Sequence, residues 1–353
     1  MPERQGLEAL PGLLLPWYRA HARRLPWRDS PTPYAVLVSE IMLQQTRVEA
    51  ALPYFERFMA ELPDFEALAG ADEAQLLKLW QGLGYYSRAR NLQKAAQLVV
   101  QCHGGQLPAD LRALRALPGV GDYTAGAVAS IAFGLPAAAV DGNVLRVFAR
   151  LLCSGESLSS PAFKKEVARR VEGLMPKGQE GDFTQALMEL GATVCLPNGR
   201  PLCEACPVRE LCGAACEGRQ QELPVRQEKK ARRREQKAVL LLCAGELTAL
   251  RRRPDRGLLA GLWEPVTLPG TPDEAQVRRA VEEMGGAVRQ LVPLPAAKHV
   301  FTHVEWHMTG WRVELESARG LDPSLVFTTE RQRREQYAVP SAYRAYLKPP
   351  RRR

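Results

Sequence analysis

The residues of this 353-residue chain best suited to chemistry are four cysteines and two isolated acids. The cysteines are spaced Cys195-x7-Cys203-x2-Cys206-x5-Cys212, and the acids, Glu40 and Asp141, sit in apolar surroundings. Four thiolates this close in sequence can hold one metal centre. A C-x2-C pair commonly binds zinc, but zinc sites usually show two separated pairs. One pair flanked by single cysteines is spaced more like a [4Fe–4S] site, and spacing alone leaves the two readings even. Cys216 is expected to lie outside the ligand set, or to substitute for Cys212. Glu40 falls in PYAVLVSEIMLQQT (33–46) and Asp141 in AAAVDGNVLRV (137–147), where a carboxylate is costly to bury. The bland readings are a half-exposed helical Glu40 and an Asp141 that caps a helix starting near Asn143. The sharper reading pairs them for glycosidic bond cleavage. An acid of raised pKa protonates the leaving group, while an ionised one stabilises an oxocarbenium-like centre.

A third element is LPGVGDYTAG (117–126). Gly119, Val120 and Gly121 form a tight turn that can expose successive backbone N–H groups ahead of a helix, an arrangement that suits phosphate. An ordinary interhelical turn is the alternative.

These residues need a scaffold. Residues 1–216 read as helical: Ala89, Leu92, Ala95, Ala96 and Val99 recur at helical spacing, and Ser160-Pro161 reads as a cap and first turn followed by Phe163, Val167, Val171 and Leu174. Residues 122–133 read as an Ala-rich helix. Segment 217–237 is highly charged and reads as a solvated linker, with DNA contact by Lys229–Arg234 as the lesser reading. Residues 238–346 shift to strands, with AVLLLC (238–243) as an apolar run, Val304, Trp306 and Met308 alternating with polar residues, and one helix over 273–284. This makes a smaller α+β domain, followed by a basic tail over 347–353. Cys102, Cys153 and Cys243 read as buried thiols.

Formal net charge is +9, and only ten of the 48 basic residues are Lys. The charge suits a polyanionic partner. The N-terminus lacks the pattern of a signal peptide, no apolar run reaches membrane-spanning length, and the uneven cysteines argue for a reducing compartment. The expectation is a prokaryotic cytoplasmic protein that does not engage a membrane. No heptad seam is visible, so a monomer is expected.

Taken together, LPGVG-x-Y-TAG, the DGN, the cysteine cluster and SEIMLQQT resemble the helix-hairpin-helix DNA glycosylases that carry an iron–sulfur cluster. The likeness extends to RLPWR (24–28), GLGYYSRARNL (82–92) and FTQALMELGA (183–192) and is closest to the MutY adenine glycosylases. It implies a mainly α N-terminal glycosylase region with a [4Fe–4S] cluster on Cys195, Cys203, Cys206 and Cys212, and a C-terminal α+β Nudix-like domain. It implies a monofunctional enzyme, because Tyr123 stands where strand-cleaving relatives carry a lysine nucleophile. The implied substrate is duplex DNA with adenine opposite 8-oxoguanine or guanine, with adenine flipped from the stack. Glu40 would protonate adenine N7, Asp141 would stabilise the sugar cation, and Tyr123 and Asn143 would order them. Arg23, Leu25, Trp27, Arg28, Leu43, Val48, Gln185 and Glu189 would line the adenine pocket. Gln45 and Tyr85 would enter the stack, an aromatic gaining about 1–3 kcal/mol on a base. Gly119, Val120, Gly121 and Arg200 would touch the backbone, while Phe301, Thr302 and His303 of HVFTH would probe the lesion.

Three departures from the family pattern stand out. Thr302 replaces Ser. Seven residues rather than six separate Cys195 from Cys203. In RRAVEEMGG (278–286), Arg279 replaces the Nudix-box Glu, and the box's upstream Gly and Glu fall on Glu264 and Gly270, so this domain is expected to bind without hydrolysing. Other readings are a glycosylase for thymine or uracil opposite guanine, or a non-catalytic iron–sulfur DNA-binding protein. Repair or replication partners would engage the linker.

Overall fold

The structure is a computed structural model that describes residues 6–225 and 231–347. Expectations for Lys229, Lys230 and the tail beyond Leu347 lie outside the described residues. The chain divides into two compact units, one of residues 1–70 and 90–228, the other of 71–89 and 229–353. Within the second unit, Lys78 Nζ donates to the Tyr337 carbonyl at 3.2 Å and Gln81 Nε2 to the Val339 carbonyl at 2.7 Å.

The first unit is helical. The helix Pro33–Leu43 starts with Pro at its first position and is capped by Thr32, which accepts from the Ala35 N–H. Tyr34 through Met42 are all buried, so the helix is enclosed all round, and Glu40 with it. The helix Asp122–Phe133 is built of small residues, which lets the backbone of Ala138 approach closely. A Cβ on Gly126 would lie 2.0 Å from the Ala138 carbonyl oxygen. The helices Leu10–His21, Gly142–Leu151, Pro161–Leu174 and Glu180–Thr193 share a core through Leu14, Val144, Phe148, Phe163, Phe183 and Leu187, with Cys195, Cys206 and Cys212 packed at its margin.

The second unit holds a seven-stranded sheet of order β3-β2-β1-β6-β5, with β4 also paired to β1 and β7 to β2. Its strands are β1 (Arg233–Ala244), β2 (Leu247–Arg252), β3 (Trp263–Glu264), β4 (Val266–Pro269), β5 (Val288–Val300), β6 (Val304–Leu315) and β7 (Leu325–Thr328). β1 and β6 run parallel. The apolar run in β1 is explained by burial on both faces: Val239, Leu241 and Cys243 enter one core, Leu240 and Leu242 the other.

Three sequence expectations need correction. The linker is shorter than 217–237. Arg233–Lys237 open β1, hydrogen-bonded to β6, because ladder bonds use main-chain groups and tolerate charged side chains. At its other end Leu223 is 1% exposed and its carbonyl accepts from Arg150 Nε at 2.9 Å. Cys102 is exposed in the last turn of the helix Ser87–His103, beyond buried Val99, and Cys153 is half-buried; Cys243 alone of the three is buried.

Candidate active site

One cavity of about 470 Å³ in the first unit gathers every residue assigned above to catalysis or the adenine pocket. Glu40, Asp141, Tyr123 and Asn143 line it together with Arg23, Leu25, Trp27, Arg28, Leu43, Val48, Gln185 and Glu189. They come from distant points of the chain, and four helices deliver most of them.

Glu40 projects from the enclosed helix Pro33–Leu43 and is 5% exposed, which rules out the half-exposed reading. Burial pushes its carboxyl up to about 7; the hydrogen bond from Tyr123 opposes this, the charge of Asp141 adds to it and that of Arg28 opposes it. The Tyr123 hydroxyl donates to Glu40 Oε2 at 2.5 Å. Its own pKa is held well above the usual tyrosine value by burial and the neighbouring carboxylates, so it remains a donor.

Asp141 caps the helix Gly142–Leu151, with Oδ1 accepting from the Val144 N–H at 2.7 Å and Oδ2 from Asn143 Nδ2 at 2.7 Å. The capping role and a place in the cavity therefore coexist. Burial raises its pKa, and these two hydrogen bonds act against the rise. Among the described residues Glu40 accepts only the tyrosine bond, whereas both oxygens of Asp141 are bonded as an anion prefers.

Glu189 is fully buried and closes another wall. It accepts from Arg23 Nε at 2.7 Å and from an Arg28 terminal nitrogen at 2.8 Å. Burial alone would raise its pKa, but the arginine hydrogen bonds and charges hold its carboxyl below the usual range. Trp27 is mostly core, edge-on to Phe55 at 5.0 Å, with its margin on the cavity.

Sequence reasoning missed Arg146. It is buried, and donates to the Cys195 carbonyl at 2.9 Å, the Gly191 carbonyl at 2.7 Å and Asn143 Oδ1 at 2.9 Å. It thus ties the cysteine segment to the amide that holds Asp141. Gly191 was missed too: a Cβ there would lie 2.6 Å from Asn143 Cβ. The readable signal was an arginine at the centre of an apolar DGNVLRVFARL run, repeated four residues on at Arg150.

The cysteines converge as well. Cys195, Cys203, Cys206 and Cys212 all line one cavity of about 30 Å³, with Val194, Pro201 and Ala215 beside them. Arg150 approaches Cys195 Sγ at 3.1 Å. Among the described residues no three His, Cys, Asp or Glu side chains are placed to hold a single metal ion. Cys216 lies outside this cavity and is exposed.

The remaining assignments are dispersed. Gly119 turns with φ +78°, and a Cβ there would lie 2.8 Å from Asn91 Cβ. The helix Asp122–Phe133 starts on Gly121 with no side-chain cap. Val120 departs from expectation. Its side chain is buried and its N–H donates to the Leu117 carbonyl at 3.1 Å, so it closes the turn instead of offering a donor. Gln45 is exposed at φ +58°, and Arg200 is exposed on its loop. In the second unit Tyr85 is exposed at φ +47°, while Tyr86 is the core residue. The Tyr85 hydroxyl is hydrogen-bonded to the Thr302 hydroxyl. Thr302 and His303 are exposed at the β5–β6 tip, where Phe301 packs edge-on to Trp306 at 4.8 Å. Glu264 is buried against Arg253 and Tyr343.

The family described as HhH-GPD superfamily base excision DNA repair protein matches residues 38–177, and the NUDIX domain family matches 238–349. The adenine DNA glycosylase of Mus musculus is 36% identical over 365 residues, covering 86% of this chain and 70% of its own length. The chain belongs to the adenine DNA glycosylase family. Adenine DNA glycosylases of Schizosaccharomyces pombe (31% identical, 82% of this chain, 78% of the relative) and Homo sapiens (37%, 84% and 65%) agree. Among solved structures, a thermostable thymine-DNA glycosylase aligns with TM-score 0.55 and 31% identity over 60% of this chain and 96% of its own. An endonuclease III bound non-covalently to DNA aligns with TM-score 0.53 and 25% identity over 63% and 100%. The helical unit of this adenine DNA glycosylase family member thus has the endonuclease III-type fold, and its C-terminal domain is of the Nudix type. Among the described residues no helix is long and apolar enough to cross a membrane.

Proposed function

We propose that this chain excises adenine mispaired with 8-oxoguanine, or with guanine, from duplex DNA by hydrolysis of the N-glycosidic bond. The observation that carries the reading is the shared cavity of Glu40 and Asp141, with a proton available on one and two hydrogen bonds supporting charge on the other. Near pH 7 a substantial fraction of Glu40 carries a proton it can pass to a ring nitrogen of an extruded adenine. Asp141, held by Val144 and Asn143, faces the sugar as charge develops there. Tyr123 fixes the Glu40 carboxyl and, lacking an amine, offers no Schiff-base chemistry. Arg23, Arg28 and Glu189 form a rigid polar wall that suits the edge of a base.

The reading extends to a [4Fe–4S] group on Cys195, Cys203, Cys206 and Cys212. What supports it is four thiols around one small cavity with the Arg150 guanidinium against a ligand sulfur, a donor set that matches the thiolate chemistry of such clusters. When bound, the group would staple the segment that Arg146 joins to Asn143. Lesion reading is assigned to the β5–β6 tip with Tyr85, and the protein is taken as a cytoplasmic monomer.

Single-turnover release of free base from duplexes carrying adenine, thymine or uracil opposite 8-oxoguanine or guanine tests the proposal. Adenine release, fastest opposite 8-oxoguanine, is expected. Release of thymine or uracil alone would favour a glycosylase of other mismatch specificity instead.

A further inference from the structure

A further cavity, of about 320 Å³, lies wholly in the C-terminal unit, between the loop after the helix Glu73–Leu79 and the helical turns of 341–347. Arg333, Arg334 and Arg344 line it with Gln81, Gly82 and Ser341. Most charges on the helix Glu330–Gln336 are paired within it: Arg331 with Glu335 at 3.0 Å and Arg334 with Glu330 at 2.5 Å. Among the described residues neither Arg333 nor Arg344 has a carboxylate within ion-pair distance. Arg333 spends one donor on the Leu347 carbonyl at 2.9 Å. Lys78 stands behind, fixed to Gln81 Oε1 at 2.7 Å and to the Tyr337 carbonyl. Burial and the charge of Arg333 lower the pKa of Lys78, and burial lowers that of Arg333, with Glu330 opposing and Arg334 adding to the effect. Arg333 is half-buried and Arg334 and Arg344 are exposed, so like charges are gathered around this cavity, with Glu330 paired to Arg334. An anion with several acceptor oxygens would relieve that repulsion.

We infer that this cavity is a phosphate site, and that the phosphate it takes belongs to the DNA backbone. The inference rests on the proposed function, in which Tyr85 and the β5–β6 tip meet DNA. Gly82 lies three residues before Tyr85, so the two are at most about 10 Å apart along the chain. DNA rises about 3.4 Å per nucleotide along each strand. A strand whose base meets Tyr85 has phosphates one to three nucleotides away that can reach Gly82 and the arginines beside it. The site would anchor the strand next to the intercalating tyrosine.

The test is equilibrium binding of the full-length protein to an 8-oxoguanine:adenine duplex across a salt series, for wild type, Arg344→Ala and Arg333→Ala/Arg344→Ala. One lost phosphate contact lowers the slope of log K against log salt by about 1. Both variants are expected to show that reduced slope and roughly 10-fold weaker binding at low salt, with unchanged single-turnover base release at saturating DNA. Arg344 is exposed, so its variant keeps the test valid if the double variant fails to fold. An unchanged slope in Arg344→Ala overturns the inference. A second arm measures thermal stabilisation by inorganic phosphate without DNA. Stabilisation that the variants lose, beside an unchanged DNA slope, assigns the site to a free phosphate and overturns the backbone source. Failure of every form to release adenine would instead sink the proposed function.

Discussion

The Tyr123 hydroxyl lies 2.5 Å from Glu40 Oε2, inside a cavity that Asp141 also lines. Burial poises this carboxyl to hold a proton near neutral pH, against the hydrogen bond from the phenol, and a glycosidic general acid requires such a proton.

Glu40 is expected to shape stability as well as rate. Its carboxyl moves from the ordinary value of 4.5 to about 7 in the folded protein. Between those values the folded state keeps a proton that the unfolded state has released, so stability falls as pH rises through the window. Above it, the ionised group costs on the order of 3 kcal/mol. Glu40→Gln is therefore expected to be more stable than wild type at pH 8, with the difference vanishing by pH 4. Denaturant titrations at the two pH values check this.

Tyr123→Phe removes the hydrogen bond that favours the ionised form of Glu40. The alkaline limb of the single-turnover pH profile, which marks loss of the Glu40 proton, is expected to move to higher pH. An unshifted limb would mean that the tyrosine acts only by packing.

Gly191→Ala places a methyl 2.6 Å from Asn143 Cβ and pushes the amide away from Asp141. A displacement of about 1 Å can cost about 100-fold in rate. Base release is expected to fall by roughly 10- to 100-fold with DNA affinity retained, as read by single-turnover kinetics beside a binding isotherm.

Cys203→Ser removes one of the four cavity thiols. Iron and sulfide content is expected to fall from about four each per chain. Purified wild type that carries zinc and is colourless would contradict the cluster assignment.

Much of this site could be read from the chain, for definite reasons. Glu40 stood out because a carboxylate is rare in an apolar helix, and Asp141 because it follows an apolar run and precedes Gly-Asn. The cysteines announced themselves by spacing. What stayed hidden depended on three-dimensional approach. Arg146 reads as one more arginine in an arginine-rich chain until its three carbonyl and amide acceptors are seen, and Gly191 as a small helical residue until Asn143 is found against it. The burial of Leu223 and the ladder bonds of Arg233–Lys237 were masked by charged neighbours, because main-chain pairing leaves no periodic trace. Val120 was assigned by its neighbours, and its N–H proved to be used inside the turn.

The most direct measurement is single-turnover release of adenine from an 8-oxoguanine:adenine duplex by wild type and Glu40→Gln, with binding to the same duplex measured in parallel. The expected result is loss of base release by at least about 100-fold, the lower range for a general acid, with affinity within a few-fold of wild type. Near-normal release by Glu40→Gln would contradict the assignment of Glu40 as the proton donor and the mechanism built on it.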